Sequence, residues 1–451
     1  TALKVKNKAE IVEKAEALTN ELAALKKEMD KLYDKHSGET IWYEKDKSGL
    51  SVFIMPRADY MGSYAIFATK YGSVDSEFKV PGENSITKVP DGIAHYLEHK
   101  MFDQPDGSNV FDKFSKYGGD ANAFTSFNMT AYLFSATDNF YENLETLMDY
   151  VQSPYFTAES VKKEQGIIGQ EIKMYDDSPA WRVMFNMLLN MYKCHPVRID
   201  IAGTVESIAK IDYNLLYKCY ETFYNLNNMF ICIVGNVDSD KVLKQIDGGL
   251  KSTEKVEIER GEFVEDEGVL NNYVEQKLAV LMPMFCLGFK QNIKTPERSL
   301  KTKVCMGILL NIICGDCSPL YAGLVRDGLI NDEFSTEYFT GHGYATIMFS
   351  GESSNPKEVA KRIKEEIARI KTEGIDKKLF SAIKCGMYGD CIRKFNNVEE
   401  IAMEFADCAV CGYELFDEIK ILRGVTAESV YKRLECFDDE ASVLSVIQPN
   451  T

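Results

Sequence analysis

Five residues constrain this chain more than any others: His95-Tyr96-Leu97-Glu98-His99, inside the run from Asp91 to Phe102. If the run is helical, His95 and His99 stand one turn apart on one face, with Glu98 beside them at the i, i+3 position. Neutral imidazole is a good donor to zinc, and a carboxylate beside a bound water can take its proton. The order is HxxEH, the inverted form of a zinc motif. Histidines on one helix face are often satisfied by ordinary hydrogen bonds, but this chain has only five His. Two of so few at ligand spacing, with Glu in the base position, favour a metal. A zinc site of this kind still needs a third protein ligand.

Downstream, Thr157 has the side chain of an N-cap, and the spacing predicts a helix over Ala158 to Tyr175, broken by Asp176-Asp-Ser-Pro179. Glu164 and Glu171 in it are nearly two turns apart and project from one face. Such pairs are usually solvated. Glu171, however, sits among Gly166-Ile-Ile-Gly169 and Ile172, where a carboxylate is costly unless paired or metal-bound. His36, His195 and His342 lack ligand spacing and read as structural or solvated.

At 451 residues the chain exceeds one hydrophobic core and predicts two to three domains. Residues 9–33 carry a heptad-like apolar seam, so residues 1–40 read as an N-terminal helical extension. Residues 41–250 alternate aromatic or β-branched strands with amphipathic helices, and the charged segment 251–272 reads as an interdomain linker. The same pattern of strand, long helix, strand pair, helices and closing strand returns over 273–451, without HxxEH. The expected fold class is α+β: two related domains, each a mostly antiparallel sheet packed with helices, one carrying metal chemistry and the other shaping a surface for a large substrate.

A net charge of −17 argues against a nucleic-acid partner, which needs a basic patch. No run of eighteen apolar residues appears, so no membrane span is expected, and the N-terminus has no secretory core. Twelve Cys are scattered from Cys194 to Cys436. That distribution suits free thiols in a reducing compartment, and the expected location is cytoplasmic. The pairs Cys314/Cys317 and Cys408/Cys411 read as small core residues and not as a metal site.

His95-xx-Glu98-His99, with Glu171 and Glu164 downstream, resembles the pitrilysin/insulinase family of inverzincin metallopeptidases. The resemblance spans about residues 41 to 451 and includes Gly119-Asp-Ala-Asn-Ala-Phe-Thr125, Gly203-Thr-Val-Glu-Ser207 and the paired halves. It is similar above all to the active subunit of bacterial two-chain members, and it implies one half of a clam-like chamber. It further implies one Zn2+ per chain on His95, His99 and Glu171, with Glu98 as general base and Glu164 orienting a ligand histidine. Asn122, Ala123 and Thr125 would line the edge on which an extended peptide is held. Family members usually carry, in the second half, an Arg followed seven residues later by a Tyr that reach the substrate. Here Arg326 is kept, but Glu333 stands at the seventh position with Phe334 beside it. The departure implies a heterodimer in which a homologous metal-free subunit supplies what is missing, a homodimer being the other arrangement. The implied function is a zinc endopeptidase acting on peptides or short unfolded segments. The alternatives are a non-catalytic peptide-binding or assembly subunit and a zinc hydrolase of small amides.

Overall fold

The computed structural model describes residues 30–35, 37–251, 255–291 and 299–450. In the first half, nine strands are β1 (Asp30–Tyr33), β2 (Thr40–Lys45), β3 (Ser51–Pro56), β4 (Ser63–Thr69), β5 (Glu77–Lys79), β6 (Ile86–Lys88), β7 (Asp120–Thr125), β8 (Thr130–Ala136) and β9 (Met229–Gly235). Seven of them form one sheet in the order β1-β2-β3-β9-β4-β8-β7, and β5 pairs with β6 separately. In the second half β10 (Tyr273–Leu278), β11 (Met284–Lys290), β12 (Ser335–Gly341), β13 (Tyr344–Glu352) and β14 (Ser442–Pro449) form a sheet in the order β10-β14-β11-β13-β12.

The expected repeat is visible in the strand order. In each half the closing strand, β9 or β14, inserts between the first and second strands of the repeat, and a hairpin, β7-β8 or β12-β13, lies beyond with its second strand on the inside. The closing strand pairs parallel to the first (β3 or β10) and antiparallel to the second (β4 or β11). Both sheets are therefore mostly antiparallel, each with one parallel pair.

The halves do not keep their helices to themselves. Helix α3 (Pro179–Met191), following α1 (Ile93–Lys100) and α2 (Ala158–Asp176), leaves the first half and packs across β11 and β14. Its Phe185, Met187, Leu188 and Met191 join a core with Cys286, Val443 and Ile447. Gly288 on β11 permits this approach, since a Cβ there would lie 2.5 Å from the Met187 sulfur. In return α5 (Val398–Cys411), which follows α4 (Leu300–Cys314), packs on β4 and β9, with Ala402, Phe405 and Ala406 against Ile66, Cys232 and Val234. Each sheet thus takes part of its apolar cover from the other half.

Three expectations need correction. The extension was expected to be helical to residue 33, but Asp30–Tyr33 pairs antiparallel with β2, so cross-strand pairing overrides helical periodicity there. The remainder of that predicted helix, and His36, lie outside the described residues. The segment read as an interdomain linker is, over its described residues 255–272, bonded down to both halves. Gly261 N–H donates to the Glu77 carbonyl at 2.6 Å, and Arg260 pairs with Asp75 at 2.6 Å. Glu265 accepts from Lys290 Nζ at 2.9 Å, with both side chains 2% exposed, and also from the backbone N–H groups of Lys193, Cys194 and His195. The CxxC pairs are split: Cys314 and Cys408 are core residues, whereas Cys317 and Cys411 are exposed. All twelve cysteines are free thiols. Among the described residues no single helix is long and apolar enough to cross a membrane.

Candidate metal centre

Helix α1 begins at Gly92, whose φ of +89° and approach to Ala202 exclude a side chain: a Cβ would lie 2.4 Å from the Ala202 carbonyl oxygen. Gly203, at φ +73°, packs on Asp91 from the other side, and Ser207 Oγ donates to the Asp91 carbonyl at 2.8 Å. The Gly203 to Ser207 stretch therefore clamps the entrance to α1. Nearly every side chain of α1 is buried, including His95 (8% exposed) and Glu98 (7%). Helix α2 starts as predicted at Thr157, whose hydroxyl accepts from Ser160 N–H at 3.1 Å in a capping box. The Tyr96 hydroxyl donates to the Val161 carbonyl and ties the two helices together.

Across that junction His95 Nε2 lies 3.6 Å from Glu171 Oε1, and His99 Nε2 lies 3.3 Å from Glu171 Oε2. All three groups offer ligand atoms within 4.8 Å of one another. Two imidazole nitrogens and one carboxylate oxygen are a zinc donor set, and donors about 2.0–2.2 Å from a tetrahedral zinc stand about 3.3–3.6 Å apart, so a cluster this tight suits that ion. His99 Nδ1 is 3.1 Å from Glu164 Oε1, which favours a proton on Nδ1 and leaves the Nε2 lone pair for a metal. His95 Nδ1 is buried with no hydrogen-bond partner among the described residues.

The electrostatics are those of a site built for a cation. Without metal, burial acts to lower the His99 pKa, but Glu164 and Glu171 override it and hold the imidazole up at about 10. Hydrogen bonds from His95 and His99 hold the Glu171 carboxyl far below its usual range. Burial pushes Glu98 up, opposed by His95 and by the Thr125 hydroxyl.

The structure brings His95, Glu98, His99, Glu164 and Glu171 together. Asn122, Ala123 and Thr125 lie on β7, which among the described residues pairs only with β8 and so has an open sheet edge, beside α1. Asn122 Oδ1 accepts from the Ala123 N–H at 2.9 Å, while Thr125 Oγ1 donates to Glu98 Oε2 at 2.8 Å. Arg326 is not part of this cluster: it ends the helix Pro319–Arg326, its side chain is 77% exposed, and its ion pair is with Asp327. Phe334 is 9% exposed in the second-half core, against Phe285 and Tyr321, because its apolar ring is worth more there than at a wet surface. Sequence reasoning missed Tyr175, whose hydroxyl donates to Glu171 Oε1 at 2.9 Å. Its position four residues after Glu171, on the same helix face, was the available signal.

The sequence profile described as "Insulinase (Peptidase family M16)" matches residues 85–205, and "Peptidase M16 inactive domain" matches residues 210–387. A Bacillus subtilis relative, "Uncharacterized zinc protease YmfH", is 42% identical over 416 residues, covering 91% of this chain and 97% of the relative. This chain belongs to the M16 family. Among solved structures, a "putative M16-like peptidase from Alicyclobacillus acidocaldarius" is similar with a TM-score of 0.87 at 33% identity, covering 91% of this chain and 98% of that one. A protease from Helicobacter pylori shares the fold at a TM-score of 0.78 and 21% identity, covering 91% of this chain and 100% of that one. The profile boundary near residue 205 to 210 falls within the first half, so the M16 "inactive domain" match begins before β9 and runs into the second sheet.

Proposed function

We propose that this M16 chain is a zinc metalloendopeptidase in which His95, His99 and Glu171 hold the ion and Glu98 is the general base. The observation that carries this is the convergence of both Nε2 atoms on the Glu171 carboxylate, at 3.6 and 3.3 Å, with Glu98 on the same helix. When bound, zinc acts as a Lewis acid on a carbonyl and lowers the pKa of a water toward ~7. Glu98 has one oxygen, Oε2, engaged by Thr125, which leaves Oε1 to accept the attacking water's proton and return it to the leaving amine. Burial pushes the Glu98 pKa up, and His95 and the Thr125 hydroxyl oppose that push in favour of the carboxylate form. Glu164 fixes the orientation of His99 through Nδ1.

The substrate in this account is an extended peptide or short unfolded segment that adds to the open edge of β7 by main-chain hydrogen bonds. That mode suits a strand whose far end, Thr125, is bonded to the base. The complete metal set argues against a non-catalytic subunit, which has no use for Glu98 beside two ligands.

We further propose that a homologous metal-free subunit completes substrate binding. The buried Phe334, packed against Phe285 and Tyr321, supports this, since its ring lies in the second-half core and not on a peptide-facing surface. The twelve free thiols support a reducing compartment, and the proposed location is the cytoplasm. The test of pairing is cleavage of an unfolded peptide by the purified chain alone and with candidate metal-free homologues encoded nearby. Stimulation by one of them is expected, and full activity of the lone chain would sink the pairing.

A further inference from the structure

Beyond the residues already given roles, one connected set of side chains joins both metal-bearing helices from behind. The Tyr175 hydroxyl donates to Glu171 Oε1 at 2.9 Å. Its ring stacks on Trp181, with centroids 4.8 Å apart and planes 21° off parallel. The Trp181 indole N–H donates to the Asp200 carboxylate, which also accepts from Ala202 N–H at 3.0 Å. Ala202 and Gly203 are the residues packed against Gly92 and Asp91 at the start of α1. The set therefore runs from a metal-site carboxylate on α2, through two stacked rings and one loop, back to the helix that bears both histidines.

We propose that Tyr175 is a positioning residue for zinc: by occupying Oε1 of Glu171 it makes that carboxylate meet the ion through Oε2 alone. The inference rests on the zinc reading above. Physically, a carboxylate offers a metal either one oxygen or two, and the choice sets the coordination number. A donor fixed on one oxygen weakens it as a ligand and stops the group from rotating. Each Glu171 oxygen faces one histidine, Oε1 at 3.6 Å from His95 Nε2 and Oε2 at 3.3 Å from His99 Nε2, and Tyr175 engages only Oε1. The stack on Trp181 holds the Tyr175 ring, so the hydroxyl has few other places to go. A three-ligand set with one oxygen from Glu171 leaves the fourth tetrahedral position open, as a hydrolytic site requires.

Tyr175→Phe keeps the ring on Trp181 and deletes only the hydroxyl. Zinc affinity is read by competition with a chelator, the thermal midpoint is measured on zinc-free protein, and the visible spectrum is taken with Co2+ in place of zinc. The expected result is a zinc dissociation constant raised about 10-fold or more, with an unchanged zinc-free midpoint. The Co2+ absorption should also weaken as Glu171 supplies both oxygens and the coordination number rises. Wild type that binds zinc, with a variant matching it within twofold and an unchanged Co2+ spectrum, overturns the inference and leaves the peptidase reading standing. Loss of zinc affinity matched by loss of zinc-free stability marks a structural role and overturns it as well. Wild type that binds no zinc overturns both.

Discussion

Thr125 Oγ1 lies 2.8 Å from Glu98 Oε2, so the end of the open edge strand is bonded directly to the proposed base. In the proposed function this contact would link peptide binding on β7 to proton transfer at Glu98. A hydroxyl donor stabilises the carboxylate form, and Thr125 opposes the upward push of burial on the Glu98 pKa. Removing that donor in Thr125→Val raises the pKa further. The acid limb of the kcat/KM profile should move to higher pH, with activity falling first at the acid end. An unmoved limb would mean that Thr125 serves the strand and not the base.

Glu164 is 3.1 Å from His99 Nδ1 and supplies the anionic partner that orients this imidazole. Glu164→Gln should weaken zinc binding about 10- to 100-fold while the far-ultraviolet circular dichroism stays unchanged. Chelator competition measures the first quantity. Equal zinc affinity in both proteins would assign Glu164 to solvent decoration.

Zinc binding should be coupled to proton release. In metal-free protein His99 is held up at about 10, so it is protonated at neutral pH and must lose that proton to become a ligand. Titrations at pH 7 to 8 in buffers of different ionisation enthalpy should report about one proton released per zinc. The metal-free fold has the matching dependence. A His pKa raised above its unfolded value of about 6.5 adds stability that is complete below that pH and is lost as pH rises through about 10. Thermal midpoints of zinc-free protein between these limits check the sign, and a rise with pH attributable to His99 would contradict it.

The buried Lys290 to Glu265 pair, at 2.9 Å, joins the second sheet to a segment that also caps the chain after α3. Lys290→Met leaves a carboxylate buried without its cation. We expect a loss of about 3–5 kcal/mol in denaturant unfolding, and a much smaller loss when Glu265→Gln is combined with it. Single and double variants as stable as wild type would show that the pair contributes nothing.

Part of the candidate cluster was legible in the sequence: helical periodicity places His95, Glu98 and His99 on one face, and Glu164 with Glu171 on another, whereas joining Glu171 to the two histidines came from the family resemblance. The strand at Met229–Gly235 follows from its unbroken apolar, β-branched run. What was not legible depends on contacts distant in sequence. Periodicity gives an apolar face to α3 and α5, but not the information that each covers the other half's sheet. Nor does it reveal that Thr125 turns toward Glu98, or that Arg260 and Glu265 bind the apparent linker down. Leu32 fitted a heptad seam, and only its pairing with Ile41 makes it part of a strand.

The most direct test of the central claim measures zinc content and cleavage of an unfolded peptide together, for wild type and Glu98→Gln, with the partner subunit supplied if one is found. The geometry predicts one zinc per chain in both proteins and cleavage only by wild type. Equal cleavage by the two, or the absence of zinc from wild type, would contradict it.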